Sequence, residues 1–424
     1  MLYFQYMEHS TTPCHPEEKG SRSVLHIDVN SAYLSWTAVE MLKNGAEEDI
    51  RLVPSAIAGD PGQRHGIILA KSESAKKCGV TTAMTLPEAR RRCPGLRTFP
   101  PDHGLYEGYS DRLYRLLSEY TDVIERFSID ECWLEYTGSE KIFGAPETAA
   151  ETISGRVKRE LGYTVNIGVS SNKLLAKMAS ELQKPDRIIT LYPQEIAEKM
   201  WPLPAYELFG VGRSAAEALA RLGLRTIGDV ARADPALLRN ALKPAMGRLV
   251  HEHANGIDDS PVIREEENER KVIGHSDTTP SDVKTEEEAL HYLLSLSERV
   301  GLRLRQAGKR ACIVTVQLKN SAFKTYRHQK KLPAPVNSTS DIYAAACALF
   351  REMWRGDDLR LFGVSLADLR GADEEEGQLS LFDAIDKEAG EKQKIKDALE
   401  ETQDLILERF GKGAITRGTL VKND

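Results

Sequence analysis

Two strand-like runs, far apart in the chain, carry carboxylates in otherwise apolar surroundings, and any fold must accommodate both. The first is "VLHIDVNSAY", Val24 to Tyr33, an apolar run that ends on Asp28, with Tyr33 following. The second is "RFSIDECWLEYT", Arg126 to Thr137, which has strand composition around the adjacent pair Asp130 and Glu131. Neighbours on a strand point to opposite faces, so Asp130 and Glu131 reach a common point only if the backbone bends or an ion draws them in. Taken singly, Asp28 with Asn30 and Ser31 reads equally well as a turn, and the acidic pair as a solvated edge. Taken together, two strands that bring Asp and Glu to one place make an oxygen-ligand site. Magnesium prefers such a site and completes its shell with waters and substrate phosphates.

The 424 residues are enough for about two to four domains. A hydrophobic share of 41% and a charged share of 29% are those of a soluble globular chain. No apolar run approaches the roughly 18 residues of a membrane span. The start has no secretory pattern, and "LYFQ" within it reads as an engineered remnant, so residues 1–21 are expected to be a tag or disordered N-terminus. Cys14, Cys78, Cys93, Cys132, Cys312 and Cys347 are scattered without CxxC spacing. That argues against a zinc site or disulfide framework and for a reducing cytoplasm.

A net charge of −7 conceals an uneven distribution. Lys271 to Arg370 carries roughly +5 and Gly371 to Asp424 roughly −6. Within the basic part, Arg303, Arg305, Lys309, Arg310, Lys319, Lys324, Arg327, Lys330 and Lys331 are expected along two strands, alternating with apolar residues. Cations on one face of a sheet suit a phosphate backbone. In "ELFGVGRSAAEALARLGLRTIGDVARAD", Gly210 and Gly212 precede an Ala-rich helix, and a second helix follows "GLRT". Glycines there let backbone amides converge on phosphate at a helix N-terminus, so this segment resembles a helix-hairpin-helix, a sequence-independent DNA-backbone binder.

Periodicity predicts strands in "RLVPSAI", "GIILA" and "YTVNIGVSS", and helices over 105–120 and 148–161, in "ESAKKCG" and in "NKLLAKMASELQK". A β-α-β order with mixed strands suggests a ferredoxin-like antiparallel sheet backed by helices. "EEENERK" reads as a charged link. After the acidic "DEEEGQLSLFD", a helix bearing Ile395, Leu399, Thr402, Leu405 and Ile406 reads as amphipathic.

From Val24 to about Arg370 the sequence resembles the Y-family (translesion) DNA polymerases of bacteria. "HIDVNSAY" and "SIDECWLEY" resemble that family's two metal-binding motifs, "IGVSSNKLLAKMASELQKPD" the segment that closes its palm, and "FGVGRSAAEALARLGL" its thumb. The resemblance implies an α+β multidomain fold: a ferredoxin-like palm (22–31 and 98–190), fingers (32–97), a helix-hairpin-helix thumb (191–258), a linker (259–270), a mixed α/β little finger (271–370) and an acidic tail (371–424). It implies template-directed addition of dNTPs to a primer-template by a monomer, with two Mg2+ ions.

Residue by residue, Asp28 and Asp130 match the aspartates that hold both ions, Glu131 the acidic ligand on the catalytic-metal side, and the Val29 carbonyl a backbone ligand. Tyr33 matches the steric gate against a ribose 2′-hydroxyl, and Lys184 a triphosphate-binding lysine. Ser128 is placed to shape the turn before the acids. Gly210, Gly212, Arg303, Arg305, Lys324 and Arg327 become DNA contacts. The fingers depart from the family: "AKSESAKKCG" has Glu73 where a tyrosine is common and Lys76 where an arginine is. Lys76 offers triphosphate a point charge, not a bidentate fork. Asn30 replaces a frequent second acidic residue outside the metal positions. "QLSLF" resembles a sliding-clamp peptide, with Gln378 for a polar pocket and Leu381 and Phe382 for an apolar one. A catalytically inert polymerase-like adaptor is the competing reading, but it has no need of Asp28, Asp130 and Glu131 together.

Overall fold

In this computed structural model residues 22–64, 66–267, 271–371, 387–411, 414, 415 and 418 are described, the side chains of 387–397 excepted. The expected clamp peptide, Gln378 with Leu381 and Phe382, lies outside the described residues. Two compact units form. One draws on residues up to Ile57, Ala70–Val80 and Gly95 through the linker, the other on Ala58–Leu69, Thr81–Pro94 and the chain beyond the linker.

In chain order, β1 (Val24–Val29) turns at Ser31, whose backbone is left-handed, into α1 (Ala32–Lys43). Then come β2 (Ser55–Ala58), β3 (Ile68–Lys71), α2 (Glu73–Lys77), α3 (Leu86–Arg92) and β4 (Arg97–Phe99). These strands form a small sheet in the order β3-β2-β4. The strand expected from Arg51 begins only at Ser55, because Pro54 has no N–H to give a ladder.

The main sheet of the first unit adds β5 (Ile124–Arg126) and β6 (Glu131–Glu135) after α4 (His103–Leu117). Next are α5 (Glu140–Phe143) and α6 (Pro146–Arg156), which runs on to Leu161 as a wider turn. β7 (Val165–Ser170), α7 (Lys173–Leu182) and β8 (Ile188–Thr190) complete it. The order is β5-β6-β1-β7-β8, with β1 antiparallel to β6 and β7.

Strand alternation gives this sheet two unlike faces. Leu25, Ile27 and Val29 of β1, Cys132 and Leu134 of β6, and Val165, Ile167 and Val169 of β7 pack with Trp36, Tyr106, Tyr109 and Leu113 into the core. The opposite face carries His26 and Asp28, Glu131 and Trp133, and Asn166, Gly168 and Ser170. It is covered by α7, which approaches so closely that a Cβ on Gly168 would lie 1.9 Å from the Ala176 carbonyl oxygen. A buried strand can therefore end on a charge: β1 is apolar on its core face and polar beneath α7.

The thumb-like part contains α8 (Ile196–Lys199), α9 (Arg213–Arg221), α10 (Ile227–Arg232), α11 (Pro235–Leu242) and α12 (Pro244–Ala254). The chain after α12 returns to the main sheet. Asp258 accepts from Leu174 N at 3.0 Å, Val262 is buried with Val24 and Trp133, and Glu125 accepts from Ile263 N at 2.8 Å.

The second unit contains β9 (Val272–Val283), α13 (Glu286–Gln306), β10 (Lys309–Asn320), β11 (Thr325–Val336), α14 (Thr339–Met353), β12 (Leu359–Gly371) and α15 (Lys387–Phe410). Its antiparallel sheet runs β11-β10-β12-β9, and α13 and α14 fill one face with Leu293, Leu296, Val300, Leu304, Ile342 and Phe350. One expectation fails here. Arg303 and Arg305 lie on α13, not on a strand, because Leu293, Leu296, Val300 and Leu304 keep the helical period through them. The apolar residues Leu399 and Leu405 of α15 are exposed. Instead, buried Glu400 accepts from the Thr339 backbone and hydroxyl at the start of α14, and Asp404 pairs with Arg305.

Candidate active site

The register of the main sheet sets Asp28 of β1 directly opposite Glu131 of β6. Residues directly opposite in an antiparallel pair share a face, so these carboxylates meet although they are far apart in sequence. Asp130, just before β6, is tied in through the backbone: Val29 N–H donates to the Asp130 carbonyl at 3.1 Å. Its side chain is turned to the Ser128 hydroxyl, which donates to Oδ1 at 2.6 Å. Ser128 thus does hold the turn before the acids. Asp28, Glu131 and Glu181 of α7 form the acidic group whose ligand atoms lie within 4.8 Å of one another.

Two lysines thread through this group. Lys184 Nζ donates to Asp28 Oδ2 at 2.7 Å, and Lys177 Nζ to Glu131 Oε2 at 2.6 Å. Beneath them His26 is fully buried. Its Nδ1 is 2.8 Å from Ser180 Oγ, and its Nε2 is 3.4 Å from Glu131 Oε2 without a hydrogen bond.

Burial pushes the Asp28 carboxyl up to about 7 against the pull of Lys184. Burial also raises Asp130, in spite of the Ser128 hydroxyl. For Glu131 burial is outweighed by the contacts of His26 and Lys177, which hold it at about 2. Burial lowers His26 to about 4, so the ring is neutral at pH 7 and the Lys177 ammonium carries the effect on Glu131. Burial pulls both ammonium groups down, and the carboxylates beside them more than reverse it.

Tyr33, the first-turn aromatic of α1, stacks on Tyr106 with centroids 4.2 Å apart and meets the edge of His103 at 5.9 Å. Burial and the charge of Asp130 raise its hydroxyl. Asn30 is structural: its side chain bonds Asn166, Thr164 and Asp186 N. Lys76 and Glu73 pair with each other at 3.6 Å, both well exposed.

At the thumb, Gly210 has φ of 94°, a conformation that favours glycine, while Gly212 starts α9 with no side-chain cap. Arg327 lies exposed on edge strand β11, Lys324 is exposed in the turn just before that strand and not on a strand as expected, and Arg303 is exposed on α13. Arg305 differs. Its half-buried guanidinium is held by Asp404 at 2.6 Å and Glu400 at 3.0 Å, so it is withdrawn from the expected DNA contacts.

The sequence reading missed Lys177, Glu181 and His26. Their signals were the spacing of Lys177, Glu181 and Lys184 along one helical face, and the position of His26 two residues before Asp28.

A profile of the impB/mucB/samB family matches residues 27–181, and one of that family's C-terminal domain matches residues 270–381. DNA polymerase IV of Clostridium acetobutylicum is 44% identical over 404 residues, 95% of this chain and 99% of its own. DNA polymerase IV of Moorella thermoacetica is 37% identical over 93% of this chain and 95% of its own. DNA polymerase IV 1 of Bacillus subtilis is 34% identical over 95% and 94%. Among solved structures, a Y-family DNA polymerase chimera superposes with a TM-score of 0.71 over 82% of this chain and 99% of its own, at 23% identity. The palm, fingers, thumb and little finger architecture is thus that of a Y-family DNA polymerase. The chain belongs to the DNA polymerase IV group of that bacterial translesion family and is a DNA-directed DNA polymerase. Among the described residues no helix is long and apolar enough to cross a membrane.

Proposed function

We propose that the protein extends a primer 3′ end opposite damaged as well as intact template bases, in DNA damage tolerance, using two magnesium ions held by Asp28, Asp130, Glu131 and the Val29 carbonyl. The observation that carries this reading is the cross-strand pair Asp28 and Glu131, joined to Asp130 by the Val29–Asp130 backbone bond. The donor set suits the ion. It is all oxygen, and Asp28 Oδ1 and Glu131 Oε1 each receive no donor from the described residues. When bound, the ions would lower the pKa of the primer hydroxyl and neutralise the departing pyrophosphate.

The remaining roles fall to the chain itself. Lys184 offers its ammonium to the triphosphate beside Asp28, with exposed Lys76 as a second point charge. Tyr33, backed by Tyr106, closes the floor beneath the sugar and excludes a 2′-hydroxyl. Amides around Gly210 and Gly212, with Arg303, Lys324 and Arg327, hold the DNA backbone. The domain limits given above follow from the same reading. Gln378, Leu381 and Phe382 would engage a sliding clamp: burying each of the two apolar side chains contributes about 1.5–3 kcal/mol before ordering costs.

Primer extension with Mg2+ on matched intact and lesion-bearing templates tests the function. Incorporation opposite the lesion is expected. Synthesis that stops one nucleotide before every lesion tried would remove the translesion role.

A further inference from the structure

Glu181 lies close enough to Asp28 and Glu131 that proximity alone would make it a third metal-binding carboxylate. The distribution of its hydrogen bonds points elsewhere. Oε1 accepts from Lys177 Nζ at 3.1 Å and Oε2 pairs with Lys184 Nζ at 2.9 Å. Each ammonium then reaches one oxygen of a different carboxylate, Lys177 to Glu131 Oε2 at 2.6 Å and Lys184 to Asp28 Oδ2 at 2.7 Å. Glu181 therefore has both oxygens committed to cations, whereas Asp28 and Glu131 each keep one oxygen without a donor among the described residues.

We propose that Glu181 is a positioning residue and not a metal ligand: it spaces Lys177 and Lys184 so that Asp28 and Glu131 each turn one oxygen to the site. The proposal rests on the function given above.

The local sequence supplies the geometry. Lys177 and Glu181 stand one helical turn apart on α7, where side chains four residues apart meet, and Lys184 follows just past the helix end. Lys177 is largely buried, and a buried ammonium needs carboxylate partners to be tolerated. Lysine stems also have many rotamers, and a second carboxylate restricts each to the one that reaches its target. No neutral side chain can do this. In Glu181→Gln the amide nitrogen cannot accept a bond, so one ammonium loses its contact with residue 181 and keeps only Glu131 or Asp28.

The direct test is the anomalous signal of Mn2+ in crystals of the full chain. The proposal expects ion density at Asp28 and Glu131, with both Glu181 oxygens still on the lysines and more than 3 Å from any ion, a cut-off well outside the coordination distance of about 2.1 Å. A Glu181 oxygen at about 2.1 Å from an ion would make it a ligand and overturn the proposal.

Steady-state incorporation gives a second, independent arm. Glu181→Gln should lower kcat about tenfold, with the KM for dNTP moving less than about threefold, because the presentation of the carboxylates is what changes. Adding it to Lys177→Met should cost less than about threefold more, since residues acting as a unit are not additive. Full multiplication of the two losses, or a kcat unchanged in Glu181→Gln, would contradict the role. If Glu181→Gln does not fold, Glu181→Asp, which keeps the charge but is too short to span both lysines, takes its place. Failure of the wild-type chain to incorporate dNTPs would count against the function, while the Mn2+ geometry would still decide the role of Glu181.

Discussion

Asp28 shows how far a single residue can be read from its neighbours. In "VLHIDV" the odd and even positions differ in character, and alternation puts Asp28 with His26 on the face that turned out to lie under α7. Glu131 could be read in the same way, and its union with Asp28 follows from register. Lys177 and Glu181 show only their helical spacing in the sequence, because their roles exist once α7 is laid over the sheet, and no local pattern states that packing. Tyr33→Ala should raise the ratio of ribonucleotide to deoxynucleotide incorporation by about tenfold or more, since the clash at the sugar goes and the carboxylates stay. Steady-state rates with rNTP and dNTP check it, and an unchanged ratio would assign the gate to another residue. Asp130→Ala should reduce incorporation about a thousandfold or more while leaving primer-template affinity within about twofold, because a metal ligand contributes several kcal/mol to the transition state and little to DNA binding. Extension assays and filter binding on the same preparation separate the two effects.

Elements were legible where one period dominated and misread where two overlapped. β1, β6, β7 and α7 were foreseen within a few residues. In "GLRLRQAGKR" the alternation of Leu302 and Leu304 with arginines imitates a strand, yet the longer helical stripe through Leu293, Leu296 and Val300 prevails and carries Arg303 and Arg305 into α13. The seat of α7 depends on Gly168. Gly168→Ala would drive a methyl into the Ala176 carbonyl, so a loss of about 3 kcal/mol is expected in urea unfolding, together with lower activity as the helix lifts. An unchanged midpoint would mean that the helix is free to recede. Asp258 secures the start of the same helix. Burial would raise its carboxyl, but the bonds from Ser260 and Leu174 N hold it below its ordinary value. Because the folded chain favours the carboxylate, its stabilisation is present above the unfolded pKa of about 4 and is lost as pH falls through the folded value. Asp258→Ala should therefore cost about 1 kcal/mol at pH 7, and the difference from wild type should shrink toward zero in acid. Melting curves across pH check the sign.

For the whole molecule, net charge is a poor guide to its partner. A chain of charge −7 can still present cations to a phosphate backbone where they are segregated: in the second unit Arg327 is exposed on edge strand β11 and Lys324 in the turn before it. Replacing both by Ala should weaken primer-template binding several-fold and flatten the logarithmic salt slope by about 1–2, as fewer counterions are released. Equal slopes would place the grip elsewhere. The palm, fingers, thumb and little finger architecture was legible because separate motifs point to it, but α15's attachment through Glu400 and Asp404 was not, since buried ion pairs leave no periodic trace. The assignment of the metal ions of a template-directed polymerase to Asp28 and Glu131 follows from the strand register that brings them opposite one another. It is tested most directly by single-nucleotide primer extension with Mg2+, comparing wild type with Asp28→Asn and Glu131→Gln, each of which keeps its shape but loses its charge. The wild type is expected to give template-matched extension and each variant about a thousandfold less, with DNA still bound. Near-normal extension by either variant would contradict it.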